Sequence, residues 1–165
     1  MSIKLVVVSD SHGLIAPLAY IKSKHSDADY FIHCGDICLS KSSASGFEVI
    51  CGNCDDPAQY PCNGKILELA GHRIMVIHGH VLFDSETDVD TAIRKVAESA
   101  KRNHCDIAFF GHLHIYCDVF VDGIRVCNPG SIWHNRDGST PSYMSVQISD
   151  FAVNIAKFIY LQNLI

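Results

Sequence analysis

What most restricts the folds open to this chain is the way its short apolar runs end. Ile3–Val8 is apolar apart from Lys4 and leads directly into Ser9-Asp10-Ser11-His12. Residues 30–33 lead to Gly35-Asp36, 48–51 to Gly52-Asn53-Cys54-Asp55, 73–77 to His78-Gly79-His80, and 107–110 to Gly111-His112-Leu113-His114. An apolar run of this length, bounded by turn residues, reads as a strand covered on both faces. Such strands belong to α/β folds, whose open sheets gather ligands at the carboxyl ends of the strands. Polar clusters after five runs therefore predict one site along one edge of the strands.

Between these runs the pattern changes. A helix is expected over 14–24, with Leu14, Leu18 and Ile21 on one face and Pro17 in the first turn, where it is tolerated. A second helix should begin with the capping chemistry of 84–87 and carry Val89, Ile93, Val96 and Ala100 on its buried face. Residues 40–45 read as a loop or short helix, and 56–64, with Pro57 and Pro61, as a loop. Hairpins are expected for 66–69 with 73–77, and for 119–121 with 124–126 around Asp122-Gly123. Asn128-Pro129-Gly130-Ser131 reads as a turn, and 143–148 with 151–160 as a last antiparallel pair. With no repeat or linker, the 165 residues predict one domain, 1–165, of two packed sheets flanked by helices.

Composition removes several classes of function. A hydrophobic fraction of 48% with 19% charged residues belongs to a globular chain, not a disordered one. No apolar stretch is long enough to span a bilayer. The net charge of -5 gives no reason to expect strong nucleic-acid binding, though it leaves room for a small anion held by metal charge. Met1-Ser2-Ile3-Lys4 does not resemble an export leader, so the eight cysteines predict free thiols and a cytoplasmic location. Cys34-x3-Cys38 and Cys51-x2-Cys54 have the spacing of a four-thiolate zinc site. That reading ranks second, because Gly35-Asp36 and Gly52-Asn53 lie inside the two pairs. Cys62, Cys105, Cys117 and Cys127 read as small core or turn residues.

The clusters carry the donors of a two-metal site: Asp10, His12, Asp36, Asn53, His78, His112 and His114. In an extended chain alternate residues point the same way, so Asp10 and His12 could share an ion, and His112 and His114 could serve one ion or two neighbours. Asp36 has two oxygens with which to bridge. Two divalent ions would bring a charge of about +4 against about -2 from Asp10 and Asp36, a surplus of about +2 that favours a phosphate ester. The mixed nitrogen and oxygen donors suit Mn, Ni, Fe or Zn.

In this order, over residues 10 to 114, these motifs resemble the calcineurin-like metallophosphoesterase superfamily. The short length, Gly52-Asn53-Cys54-Asp55 and Asn128-Pro129-Gly130-Ser131 resemble its small bacterial and archaeal phosphodiesterase branch. The resemblance implies a four-layer α/β/β/α fold. It implies one metal on Asp10, His12, Asp36 and His114, and a second on Asp36, Asn53, His78 and His112. It also implies hydrolysis of small phosphodiesters by a metal-bridging hydroxide, with a phosphomonoesterase using the same residues as the near alternative. Many members place a histidine directly after the asparagine of the third motif, where this chain has Cys54. Cys54 and Asp55 are thus the candidates for catalytic parts, Asp55 also for orienting the turn, and His80 stands behind the ligands. The superfamily includes a non-catalytic scaffold of the retromer complex with a degenerate site; the complete ligand set here favours an enzyme.

The remaining residues get plainer readings. His33 reads as a packed strand histidine, and His25, His72, His104 and His134, without partners at ligand spacing, as surface residues. Trp133 and Tyr143 read as core or rim. The apolar Phe158-Ile159-Tyr160-Leu161 and the hairpin edges suit a homodimer.

Overall fold

The computed structural model describes residues 2–161; Met1 and residues 162–165 of the expected domain lie outside them. The first sheet has the order β10-β9-β1-β2-β3 and the second β4-β5-β6-β8-β7. Its members are β1 (Ile3–Val8), β2 (Tyr30–His33), β3 (Glu48–Val49), β9 (Ser142–Ser149) and β10 (Ala152–Ile159). The second sheet contains β4 (Lys65–Leu69), β5 (His72–Ile77), β6 (Ile107–Phe110), β7 (Tyr116–Val121) and β8 (Ile124–Pro129). Two helices, α1 (Ile15–Lys24) and α2 (Val89–Arg102), cover the outer faces.

Both sheets are mixed for the same reason. Connections through helices and long loops make β1, β2 and β3 parallel, and likewise β5, β6 and β8, whereas tight hairpins add antiparallel neighbours at the margins. The four layers follow from alternation within each run. Leu5 and Val7 pack between the sheets with Ile74, Val76, Phe109 and Met144, while Val6 and Val8 face Leu18 and Ile21 of α1. Both faces of β1 are buried, so Leu5 to Val8 are all at 0% exposure and the sequence shows no polar alternation there. On the other side Ala92, Val96 and Ala100 of α2 pack on Met75, Ala108 and Phe110.

Several expected boundaries move. The strand expected over 48–51 is only Glu48–Val49, because the amide of Cys51 turns away to donate to Pro61 O at 3.0 Å. β7 begins at Tyr116 and β8 runs to Pro129, since Tyr116 and Pro129 still pair where a turn was expected. Helix α2 is capped by Asp88, which accepts from Thr91 N at 2.9 Å, while Asp84 closes a separate turn on Glu86 and Thr87. Residues 41–46 form turns and no helix. At the C-terminal strand Ile159 and Leu161 are exposed but Tyr160 is buried, so the apolar tail is not one continuous exposed patch. No helix among the described residues is long and apolar enough to cross a membrane.

Candidate metal centre

The parallel strands of both sheets deliver their exits to one edge. Asp10 and His12 follow β1, Asp36 follows β2, Asn53 lies beyond β3, His78 follows β5, and His112 and His114 follow β6. Extended alternation is not what aims them. Asp10, His12, Asp36, His112 and His114 have φ of 54°, 45°, 54°, 67° and 55°, in the left-handed region that non-glycine residues avoid. Strained backbone of this kind gathers where surrounding bonds over-determine it. Here Asp10 N donates to Gly35 O at 3.0 Å, His12 N to Asp36 O at 3.0 Å, and Gly13 N to Ile37 O at 2.9 Å. Two glycines let the turns approach this closely. A Cβ at Gly52 would lie 2.1 Å from Asp36 Oδ1, and one at Gly111 would lie 2.1 Å from Ser9 Oγ.

Each carboxylate has one oxygen tied back and one turned to the site. Asp10 Oδ2 accepts from Ser9 Oγ at 2.6 Å and His112 N at 3.1 Å, whereas the buried Oδ1 has no hydrogen-bond partner. Asp36 Oδ1 accepts from Cys54 N at 2.8 Å, leaving Oδ2 at 3.4 Å from His78 Nε2 and 4.0 Å from His12 Nε2. Burial opposes ionisation of Asp10, yet the His114, His78 and Ser9 contacts hold it below its ordinary range; Asp36 is lowered too, by His78 and Cys54 against its burial.

The imidazoles complete the pattern. His78 donates from Nδ1 to Cys34 O at 2.8 Å, and His114 from Nδ1 to His134 O at 3.0 Å. That fixes the proton away from the site and turns both Nε2 lone pairs inward. His114 Nε2 then faces Asp10 Oδ1 at 3.0 Å, and His78 Nε2 faces Asn53 Oδ1 at 3.1 Å. His12 Nε2 is 3.4 Å from His114 Nε2. Lone pairs confronting lone pairs in a buried place repel one another unless a proton or a metal ion lies among them, and so many nitrogen and oxygen donors around one place fit divalent metal ions. Asp10, His12 and His114 form one group able to hold an ion, and Asp10, Asp36 and His78 another. The ring of His112 is 5.1 Å from that of His78. Burial, then the charge of His78, brings His112 down to about 4, and burial also lowers His12; neutral imidazole is the ligand form. His78 is raised, because Asp10 and Asp36 outweigh its burial.

Around these seven, Asp55 supplies order. Its Oδ2 accepts from Asp36 N at 2.7 Å and Gly52 N at 2.8 Å, and its Oδ1 from Cys38 N at 2.7 Å. Of the two parts expected for Asp55, catalysis and orienting the turn, these contacts are those of the second, a group that fastens two turns together. Cys54 is exposed, its sulfur grouped with His12 and Asp36, and burial together with Asp36 raises its thiol to about 11. The ring of His80 is 5.4 Å from that of His78 and 6.4 Å from that of His112, and its buried Nδ1 is without a partner.

Reading the sequence missed two neighbours, Cys38 and Ser11. The sulfur of Cys38 is 3.9 Å from His12 Nδ1, and Ser11 Oγ is 3.0 Å from Nε2 of the buried His33. The four-thiolate alternative does not assemble: Cys34 sits between the sheets, Cys51 packs under the first sheet, and the metal-capable groups among the described residues contain a single thiol. All eight cysteines are free. His104 and His134 are exposed as expected, but His25 is buried against Tyr143 and His72 is half-buried against Asp106.

An edge where two mixed sheets bring carboxylates and inward-facing imidazoles together is the mark of a metal-dependent phosphoester hydrolase. The chain belongs to the calcineurin-like phosphoesterase superfamily, whose domain description matches residues 3–150. It is 32% identical to the probable metallophosphoesterase YsnB of Bacillus subtilis over 155 residues, 92% of this chain and 88% of that one. A predicted phosphoesterase of known structure from Streptococcus pneumoniae superposes with a TM-score of 0.83 at 27% identity, covering 96% of this chain and 90% of that one. Two further structures share the fold. They are Vps29 of Entamoeba histolytica complexed with zinc (TM-score 0.78, 19% identity, 98% and 94% coverage) and an archaeal phosphodiesterase (0.68, 18%, 96% and 100%).

Proposed function

We propose that this chain is a phosphodiesterase that works with two divalent transition-metal ions, drawn from Mn, Ni, Fe or Zn. Asp10, His12, Asp36 and His114 would hold one ion, and Asp36, Asn53, His78 and His112 the other. The observation that carries the reading is the pairing of inward lone pairs with one unspent oxygen on each buried carboxylate. Bound ions would supply an activated water and positive charge opposite the phosphoryl oxygens.

The chain's own residues then set the preferences. With only Asp10 and Asp36 as anions in the ligand set, the centre keeps a positive surplus that attracts an anionic ester. His112 and Asn53 border the place a phosphate would take. Cys54, at about 11, keeps its proton at neutral pH but gives it up poorly, so the leaving group departs with little help. Turnover should therefore fall steeply as leaving-group pKa rises across aryl phosphodiesters, and Cys54→His should flatten that slope. A flat slope in the wild type would remove this role of position 54. An open rim of Cys38, Cys54 and the half-exposed Trp133 suits small diesters.

The test is hydrolysis of bis(p-nitrophenyl) phosphate beside the monoester, on chelated protein titrated with Mn, Ni and Zn. Diester turnover that returns with metal and vanishes in Asp36→Ala is the expected result. Monoester turnover alone would move the assignment to a phosphatase. Two bound ions with no turnover would favour a protein-binding scaffold of the retromer type.

A further inference from the structure

The loop after β8 carries the single tryptophan of the chain. Trp133 is 47% exposed, and its ring stands edge-on to His12 with centroids 4.9 Å apart, 6.2 Å from the ring of His114. Its position is coupled to the centre through the backbone. Ser131 Oγ donates to Asp10 O at 2.8 Å and accepts from Trp133 N at 3.0 Å and His134 N at 2.9 Å. The next carbonyl, His134 O, receives the Nδ1 proton of His114, and Arg136 N donates to His114 O at 2.9 Å. The bonds that tie Asp10 and His114 to this loop thus also hold the backbone that carries the indole.

The rest of this rim is small or polar: Cys38, Cys54, Asn53 and His12. A large flat ring left half in water beside a phosphoester centre offers area and π-surface to a flat group on the ester. Nucleobases are flat groups that come joined to phosphate, and every base has a π-face, so stacking needs no base-specific hydrogen bonds. The net charge of -5 disfavours a long polyanion and leaves small nucleotides. Resting on the phosphoester reading of the centre, we infer that Trp133 is a stacking platform and that the substrates are small phosphodiesters carrying a nucleoside.

The test compares two ligands that differ only by the base, adenosine 5′-monophosphate and ribose 5-phosphate, on the full chain loaded with Mn2+. Because Trp133 is the only tryptophan, intrinsic fluorescence reports its ring, and calorimetry gives affinities where the ring is altered. The nucleotide should quench the fluorescence and bind about tenfold tighter than the sugar phosphate or better, the size of effect that stacking of one base produces. Trp133→Ala should erase that gap, and Trp133→Phe should restore part of it. Equal binding of the two ligands, binding of neither, or a gap that survives Trp133→Ala would overturn the platform. Turnover of bis(p-nitrophenyl) phosphate, run in parallel, keeps the two readings apart. A base-dependent gap without hydrolysis by any metal would refute the hydrolase and retain the platform; hydrolysis without the gap would do the reverse.

Discussion

Histidine meets aspartate at both ends of the sheets, in different company and at different depth. At the end away from the strand exits, His72 turns Nδ1 to Asp106 and Nε2 to Ser149 O, so each ring nitrogen faces an acceptor. Asp106 also accepts from Arg73 N at 2.8 Å. This is a closed set that fastens β5 and β6 of one sheet to the end of β9 in the other. At the exit end, His78 and His114 give their protons to backbone carbonyls, and their other nitrogens face carboxylate or amide oxygen. Proximity of histidine to aspartate thus does not distinguish a latch from a metal centre. Depth and crowding do: His72 meets a partly exposed Asp106 alone, whereas the buried His114 Nε2 has Asp10 Oδ1 at 3.0 Å and His12 Nε2 at 3.4 Å.

Removing one charge should break this contrast most sharply. Asp10→Asn keeps the shape and an acceptor for Ser9 and His112 but gives His114 Nε2 a donor. Metal-dependent turnover should fall by more than about a hundredfold, beyond the usual cost of disturbing a contact behind a metal ligand. The chelated protein should melt no lower than wild type, because the opposed lone pairs are gone, while the stabilisation by added metal shrinks. Thermal melts with and without chelator check both; a lower melting temperature only in the chelated variant would count against the fit of these donors to a cation.

Gly111→Ala should also abolish turnover, since its Cβ would fall 2.1 Å from Ser9 Oγ and 2.8 Å from Asp10 Oδ2. Metal stoichiometry by elemental analysis would reveal the displaced ligand.

Acid should act at the exit end through His33, which is not a ligand, as well as through His112 and His12, whose lowered values act in the same direction. Burial takes His33 down to about 4 from its ordinary 6.5. Below 6.5 the unfolded chain takes up a proton that the folded chain refuses, so stability drains as pH falls from 6.5 to about 4 and no further. His33→Gln should remove a loss of about 3 kcal/mol across that window, read by urea unfolding in chelator. An unchanged acid limb would place the sensitivity elsewhere.

The smallest effects belong to the closed end. His72→Ala should cost about 1 kcal/mol of stability and leave metal binding and turnover at wild-type values. Gly123→Ala, with φ +83° but nothing within 4 Å of the new Cβ, should cost about 1 kcal/mol as well. Measured turnover in either variant tests whether the two ends are independent.

The chain's own order of residues determined the sheets and the donor types. Four apolar residues in a row at Leu5–Val8 leave no exposed face, which only a strand covered on both sides satisfies, and the polar residue that follows must emerge at an edge. Only the tertiary structure decided how those donors act. Asp10 and His12 align through left-handed turns, tied to a neighbouring turn across more than twenty residues, and not through strand alternation. His25 looks solitary in sequence, yet it is buried because Tyr143, 118 positions away, offers it a hydroxyl at 3.0 Å. Tyr143 belongs to the core and Trp133 to the rim, although either could have been read as the other. Proton direction, the free oxygen of each carboxylate and the turn-fastening work of Asp55 all depend on backbone groups distant in the chain. Local sequence fixes which atoms a residue carries, and long-range contacts fix which of those atoms remain available.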